Sequence, residues 1–97
     1  MIRHTVLFKW TDAATAEQKQ TVAAELSALA PTVPSIRSFV IGADAGLATG
    51  NFDFAVTADF DDEAGFIAYR DDPAHRAIIA STIAPITAQR VAVQFNF

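Results

Sequence analysis

Residues 2–10 have the sequence Ile-Arg-His-Thr-Val-Leu-Phe-Lys-Trp, in which the more apolar and more polar side chains nearly alternate. A period of two residues is typical of a β-strand, because successive side chains point to opposite faces of a sheet. One face carries Ile2, His4, Val6, Phe8 and Trp10, and the other carries Arg3, Thr5, Leu7 and Lys9. The stretch therefore predicts a strand with a strongly apolar face that includes one histidine.

A helix is predicted after this strand. Thr15 precedes Gln18 by three residues, which is the spacing of a capping box at a helix start. Apolar side chains then recur at helical spacing, at Val22, Leu26, Leu29 and Ala30. Pro31 and Pro34 end the predicted helix, because proline cannot continue the hydrogen-bonding pattern.

Two further strands are predicted on either side of a loop. Residues 36–42 alternate between the two faces, and residues 52–60 alternate more clearly. The residues between them, 42–51, contain three glycines and predict a long connection without regular structure.

The segment 61–86 predicts two short helices separated by a break at residues 71–73, Asp-Asp-Pro. Proline disfavours helical geometry for the residue before it but is well tolerated at the first helical position. The first helix should therefore end near Arg70. The second should begin with Asp72 as its N-cap and end at Pro85.

A last strand over residues 90–97 completes the order βαββα(α)β. This order predicts an α+β, ferredoxin-like fold: one domain over residues 1–97, with an antiparallel sheet and helices on one face. The other face of the sheet is expected to carry Thr5, Leu7, Phe39, Ile41, Ala55, Thr57, Ala92 and Gln94. Such a face is too apolar to remain in water. We therefore expect a homodimer that forms by sheet-to-sheet packing.

The composition excludes several classes of protein. Of the 97 residues, 52% are hydrophobic and 19% charged, which excludes a disordered chain. The net charge of −4 without a basic cluster argues against nucleic acid as a partner. The absence of cysteine excludes disulfides and thiolate chemistry. Without a long apolar run or a signal peptide, no membrane association and a cytoplasmic location are expected.

Three side chains are candidates for acid–base chemistry: His75, Tyr69 and His4. His75 falls at about the third position of its helix on the apolar side, where both the helix start and partial burial favour a neutral imidazole that can act as a general base. Tyr69 precedes it by six residues, so a bend between the helices can bring its phenol close. His4 points to the same cavity if its strand face meets the helices.

Each candidate also has a purely structural interpretation. A histidine on an apolar face is more often a hydrogen-bonded core residue, and a tyrosine near a helix end is usually a packing residue. No metal or cofactor is expected. The acidic run Asp59, Asp61, Asp62 and Glu63 fits a helix start better than a metal site, and no glycine-rich phosphate motif occurs.

Four segments resemble the stress-responsive A/B barrel (Dabb) family. Residues 1–10 are similar to its first strand, in which IRHxVLFK is common. Residues 34–39 and 52–60 are similar to its second and third strands. Residues 68–75, AYRDDPAH, resemble its YxxHPAH-like signature, with Asp72 where many members have histidine.

The resemblance implies a dimeric α/β barrel built from two ferredoxin-like subunits. In a plant polyketide cyclase of this family, the positions that match His75 and Tyr69 form the acid–base pair, and the one that matches His4 lines the pocket. The resemblance thus implies a cofactor-independent cyclase, isomerase or lyase that acts on a hydrophobic carbonyl compound. The alternatives are a non-catalytic, stress-related or small-molecule-binding homodimer and a cofactor-independent monooxygenase.

Overall fold

The chain forms strands and helices in the predicted order, and the computed structural model describes residues 1–97. The strands are β1 (Ile2–Trp10), β2 (Ile36–Ala43), β3 (Phe54–Phe60) and β4 (Thr87–Asn96). The α-helices are α1 (Ala16–Leu29), α2 (Glu63–Arg70) and α3 (Pro73–Ile78). A π-helical turn spans Ile79–Ile83, and 3₁₀ turns span Ala30–Thr32 and Ala84–Ile86. No helix is both long and apolar enough to cross a bilayer.

The four strands form one antiparallel sheet in the order β2-β3-β1-β4. β1 lies inside the sheet, where His4 is opposite Ala58 of β3 and Gln94 of β4. The helices cover one face of this sheet, so the predicted α+β, ferredoxin-like fold is confirmed.

Both helix starts that flank the sequence break are capped by aspartate. Asp62 accepts a hydrogen bond from the Gly65 N–H at 2.9 Å, and Asp72 accepts one from the His75 N–H at 3.0 Å. Pro73 occupies the first turn of α3, where its missing N–H is not needed. The predicted end near Arg70 and the predicted cap at Asp72 are therefore confirmed.

The core lies between the helices and the face of β1 that was predicted to be apolar. Val6, Phe8 and Trp10 are buried there, and Phe60 of β3 is completely inaccessible to solvent. The rings of Phe8 and Trp10 stack with their centroids 5.4 Å apart. From α1, Val22, Leu26 and Leu29 complete this core.

The face assignment of two strands was wrong. Phe39 and Ile41 of β2 pair with Ala58 and Val56, so they lie on the helix side of the sheet. Ala92 and Gln94 of β4 pair with Val6 and His4 and lie on that side too. Both strands are apolar at odd and even positions, and β2 has a register shift between Ile36 and Ser38. A period of two alone cannot identify the core-facing side of such a strand.

The face away from the helices, called here the open face, is nonetheless apolar. Its side chains include Thr5 and Leu7 of β1, Val40 of β2, Thr57 of β3, and Val91, Val93 and Phe95 of β4 followed by Phe97. The last four of these residues, from Val91 to Phe97, are 42–58% exposed, and Val40 is 64% exposed. The more apolar side of β4 thus points away from the chain's own helices.

A capping variant tests the start of α1. Thr15 Oγ1 accepts from the Gln18 N–H at 3.1 Å, and Gln18 Oε1 accepts from the Thr15 N–H at 2.8 Å. Thr15→Ala should lower the free energy of unfolding by about 1 kcal/mol, because it removes the side-chain oxygen that accepts from the Gln18 N–H. Urea denaturation measures the change.

The matched control is Thr21→Ala on the same helix, because the Thr21 hydroxyl only donates to the Glu17 carbonyl on the exposed surface. Its effect should be within about 0.5 kcal/mol. Equal effects of the two substitutions would contradict a specific role for the cap.

Candidate functional site

A cavity of about 510 Å³ lies between the helix side of the sheet and the segment that runs from α2 to the π-helical turn. Strands β1 and β4 form its floor, and α2, α3 and the π-helical turn form its walls. All three residues predicted from the sequence, His4, Tyr69 and His75, line this cavity. The structure therefore brings the candidate residues together, although they are far apart in the sequence.

The break between α2 and α3 positions Tyr69 and His75. Tyr69 lies in the last turn of α2 and His75 in the first turn of α3, and their rings stack with centroids 4.1 Å apart. The N-cap bond, in which the His75 backbone N–H donates to the Asp72 carboxylate, holds this turn. The two side chains are only 3% and 8% exposed, so the bend places both rings against the cavity wall.

One nitrogen of His75 faces a backbone carbonyl. Nδ1 lies 3.4 Å from the carbonyl oxygen of Arg70. A carbonyl oxygen can only accept, so in the neutral ring Nδ1 carries the proton and donates it. The lone pair of the neutral imidazole is therefore on Nε2. That nitrogen forms no hydrogen bond with the protein and can accept a proton.

His4 is held in the opposite protonation pattern. Gln94 Nε2 lies 2.7 Å from His4 Nδ1. An amide NH₂ group can only donate, so Nδ1 accepts and the proton of the neutral ring is on Nε2. The ring packs against Phe66, with centroids 5.0 Å apart, and lies 6.4 Å from the Tyr69 ring. His4 thus offers a hydrogen-bond donor beside Tyr69.

Burial keeps all three groups uncharged at neutral pH. It lowers the pKa of His4 to about 4, and the positive charge of Arg90 and the electrostatic interaction with His75 act in the same direction. Burial also lowers the pKa of His75, although the neighbouring backbone carbonyls of Arg70 and Tyr69 oppose this. For Tyr69, burial raises the pKa to about 12 and Arg90 opposes the change. Its phenol therefore stays protonated and can donate.

The Tyr69 hydroxyl is directed at open space. It forms no hydrogen bond within the chain. Because every fully buried polar side-chain atom has a partner, this hydroxyl is not fully buried. It therefore reaches the cavity. Together with His75 Nε2 and His4 Nε2, it gives the cavity one proton acceptor and two donors in a mainly apolar lining.

A π-helical turn forms part of the wall, where the sequence predicted a regular helix up to Pro85. Ile79 and Ile83 of this turn line the cavity. Inside the turn, Ser81 donates to the Ala77 carbonyl at 2.7 Å, and Thr82 donates to the Glu25 carboxylate at 2.9 Å. The Ser81 hydroxyl competes for a backbone carbonyl of the helix, which is consistent with the wider turn.

Five further polar residues line the cavity and were not predicted from the sequence: Arg70, Arg76, Thr87, Arg90 and Gln94. Arg90 and Gln94 alternate with Val91 and Val93 along β4. The sequence predicted that the valines would face the helices. The signal that could have found Arg90 and Gln94 is the recurrence of polar side chains at every second residue of β4, on the side that faces the cavity.

The acidic run at the start of α2 has structural roles. Arg3 forms two hydrogen bonds with the Asp59 carboxylate, at 2.7 and 2.9 Å. Asp61 pairs with Arg37 at 2.8 Å, and Asp62 caps α2. The structure contains no group of three or more potential metal ligands.

A family model described as the stress responsive A/B barrel domain matches residues 2–97. This range includes nearly all of the segments that carry the resemblance described above. No protein of curated function matches the sequence.

Solved structures share the fold. A dimeric ferredoxin-like protein of unknown function from Thermobifida fusca is 52% identical, with a TM-score of 0.93 over 99% of this chain and 90% of that one. A dimeric protein of unknown function and ferredoxin-like fold from Bacteroides fragilis is 25% identical, with a TM-score of 0.82 over 99% and 95% of the two chains. A hydroxynitrile lyase from Passiflora edulis is 19% identical, with a TM-score of 0.83 over 97% and 90%.

The lowered histidine pKa values predict a loss of stability in mild acid. Each imidazole has a lower pKa in the folded chain than its ordinary value of 6.5. The unfolded chain therefore binds more protons below about pH 6.5, and the stability decreases as the pH falls towards the folded pKa, which is about 4 for His4. Urea unfolding at fixed protein concentration should show this decrease between pH 7.5 and pH 5.

The control is His4→Gln, which removes the titration but keeps an oxygen that can accept from Gln94. Its stability should vary less between pH 7.5 and pH 5, and His75 should account for the remaining variation. Parallel curves for the variant and the original chain would contradict the role of His4.

Proposed function

This chain belongs to the stress responsive A/B barrel domain family, and we propose that it is a cofactor-independent enzyme that acts on a small hydrophobic carbonyl compound. One observation carries the proposal: a free imidazole acceptor, His75 Nε2, shares an apolar cavity with two donors, Tyr69 and His4. This combination suits the removal of a proton from a carbon next to a carbonyl group.

In the proposed step, the substrate carbonyl oxygen lies near the Tyr69 hydroxyl. His75 Nε2 takes a proton from the adjacent carbon, and the electron pair of the broken C–H bond moves to the carbonyl oxygen as an enolate. Tyr69 and His4 Nε2 donate hydrogen bonds to the oxygen as its negative charge develops. The apolar side chains around the site make these interactions stronger than they would be in bulk water.

The enolate can then follow one of three routes. Reprotonation at another carbon gives an isomerase, attack on a second carbonyl of the same molecule gives a cyclase, and loss of a leaving group gives a lyase. The Passiflora edulis protein of the same fold is a hydroxynitrile lyase, which is consistent with a lyase-like role. The resemblance to a plant polyketide cyclase favours ring closure.

The free hydrogen-bonding positions favour catalysis over a purely structural role. A structural histidine or tyrosine is expected to have its polar atoms satisfied within the protein. His75 and Tyr69 each direct a polar atom towards a cavity of small-molecule size instead. The cytoplasmic location expected from the sequence stays a prediction.

We also propose that two copies pair through the open face. Burial of the exposed valine and phenylalanine side chains of β4 is the driving force, because an apolar patch of this kind is unfavourable in water. Near one end of this face, Arg3 is paired with Asp59 and lies 4.7 Å above the Phe97 ring. The relatives from Thermobifida fusca and Bacteroides fragilis are described as dimeric, which supports this assembly.

Proton abstraction can be tested with an aryl alkyl ketone as probe. In D₂O, the chain should accelerate the exchange of the α-protons of butyrophenone, followed by ¹H NMR. His75→Ala should reduce the rate about 100-fold or more, because it removes the base. Tyr69→Phe should reduce it about 100-fold, because it removes a donor to the enolate oxygen.

Arg37→Gln is the control, since Arg37 lies on the surface and pairs with Asp61 outside the cavity. It should exchange the probe at the original rate, and circular dichroism should show that all variants are folded. Rates that are unchanged in both His75→Ala and Tyr69→Phe would refute the assigned roles.

A charge on the open face should prevent dimerisation. Val93 lies opposite Thr5 and is 56% exposed, so Val93→Glu would force a carboxylate into the contact. Size-exclusion chromatography with light scattering should give a dimer for the original chain and a monomer for this variant. Ser27→Glu, on the exposed surface of α1, is the control and should remain dimeric. A monomeric original chain would overturn the assembly.

A further inference from the structure

We propose that the substrate of this cavity carries a carboxylate as well as a carbonyl group, and that Arg90 and Arg76 bind the carboxylate. The inference rests on the proposed function, because it names the class of carbonyl compound that the site takes: an apolar keto acid. It adds a specificity element to the base and donors already described.

The charge distribution of the cavity is opposite to that of the chain. The chain has 11 acidic and 7 basic residues, for a net charge of −4. None of the acidic residues lines the cavity, whereas Arg70, Arg76 and Arg90 do. The site is therefore a local region of positive charge in an acidic protein, and it attracts anions that the rest of the surface repels.

Two of these three arginines have no carboxylate partner. Arg70 is neutralised by Asp71, with bonds of 2.9 and 3.0 Å. The other ion pairs of the chain engage Arg3 and Arg37. Arg76 and Arg90 form no ion pair, so their guanidinium groups remain available to a ligand.

The two free guanidinium groups reach the cavity from different sides. Arg90 lies on β4 opposite Phe8, on the helix side of the sheet and at the sheet edge. Arg76 follows His75 on α3. Both arginines line the same cavity as His4, Tyr69 and His75. The charge of Arg90 favours the neutral form of His4, and that of Arg76 favours the neutral form of His75, which agrees with this placement.

The shape and polarity of the cavity define the rest of the ligand. The lining is mainly apolar, with Val6, Phe66 and Ile83 among its walls. A volume of about 510 Å³ has room for an aromatic ring and a short chain. A guanidinium presents a planar fork of donors that matches a carboxylate. These features together fit an aryl or alkyl body with a carboxylate a few bonds from the carbonyl.

The probe pair 4-oxo-4-phenylbutanoate and 4-oxo-4-phenylbutanamide tests this inference. Both have the same ring, ketone and chain length, and they differ in the charge of the terminal group. Binding to the original chain and to Arg90→Gln is measured by titration in ¹H–¹⁵N correlation NMR spectra, and this measurement requires no turnover. The acid should bind at least 10-fold more tightly than the amide. Arg90→Gln should weaken acid binding about 10- to 100-fold and amide binding less than 2-fold.

Arg37→Gln is the matched control because it removes the same charge outside the cavity. It should change acid binding less than 2-fold, and Arg76→Gln should weaken acid binding in the same direction as Arg90→Gln. Equal affinities for acid and amide, including no measurable binding of either, overturn the inference. Equal weakening by Arg37→Gln and Arg90→Gln also overturns it, because general charge then explains the preference.

The exchange assay separates this inference from the proposed function. If the acid binds through Arg90 but its α-protons do not exchange faster than in buffer, the carboxylate site stands and the proposed catalysis fails. If the chain exchanges the α-protons of acid and amide equally well and Arg90→Gln affects neither, catalysis stands and the carboxylate site fails.

Discussion

The register of β1 between β3 and β4 is the constraint on which the rest of the structure depends. Side chains alternate along a strand, so a slip of one residue would turn His4 and Val6 away from the helices and bring Thr5 and Leu7 into the core. The same register brings Arg90 to the side of the sheet that carries His4. The core, the cavity and the open face are therefore three consequences of one pairing.

The sequence predicts those parts of the site that depend on local signals. The alternation of β1, the cap at Asp72 and the break after Arg70 are each encoded within a few residues. They suffice to place His75 in the first turn of a helix and Tyr69 just before the break. His4 joins them because its strand face is apolar enough to require helices against it. The gathering of the three residues thus follows from short-range patterns and one packing step.

The parts that could not be predicted depend on distant partners. In β4, the odd-numbered and the even-numbered residues are both compatible with burial. The more apolar, odd-numbered set faces away from the chain's own helices. The strand was therefore assigned to the wrong faces, and Arg90 and Gln94 were not recognised as cavity residues. A sequence pattern indicates that an apolar side chain must be buried. It does not indicate whether a helix of the same chain or a second copy of the chain buries it.

Burial links the chemistry of the site to the stability of the fold. The imidazole of His4 is kept neutral mainly because it is inside the protein, and the guanidinium of Arg90 adds to this effect. Protonation at that position opposes folding, so the neutral form on which the proposed chemistry depends is also the form that stabilises the fold. A carboxylate bound beside Arg76 would offset the charge of that side chain, which lowers the pKa of His75, and the proposed base would become stronger.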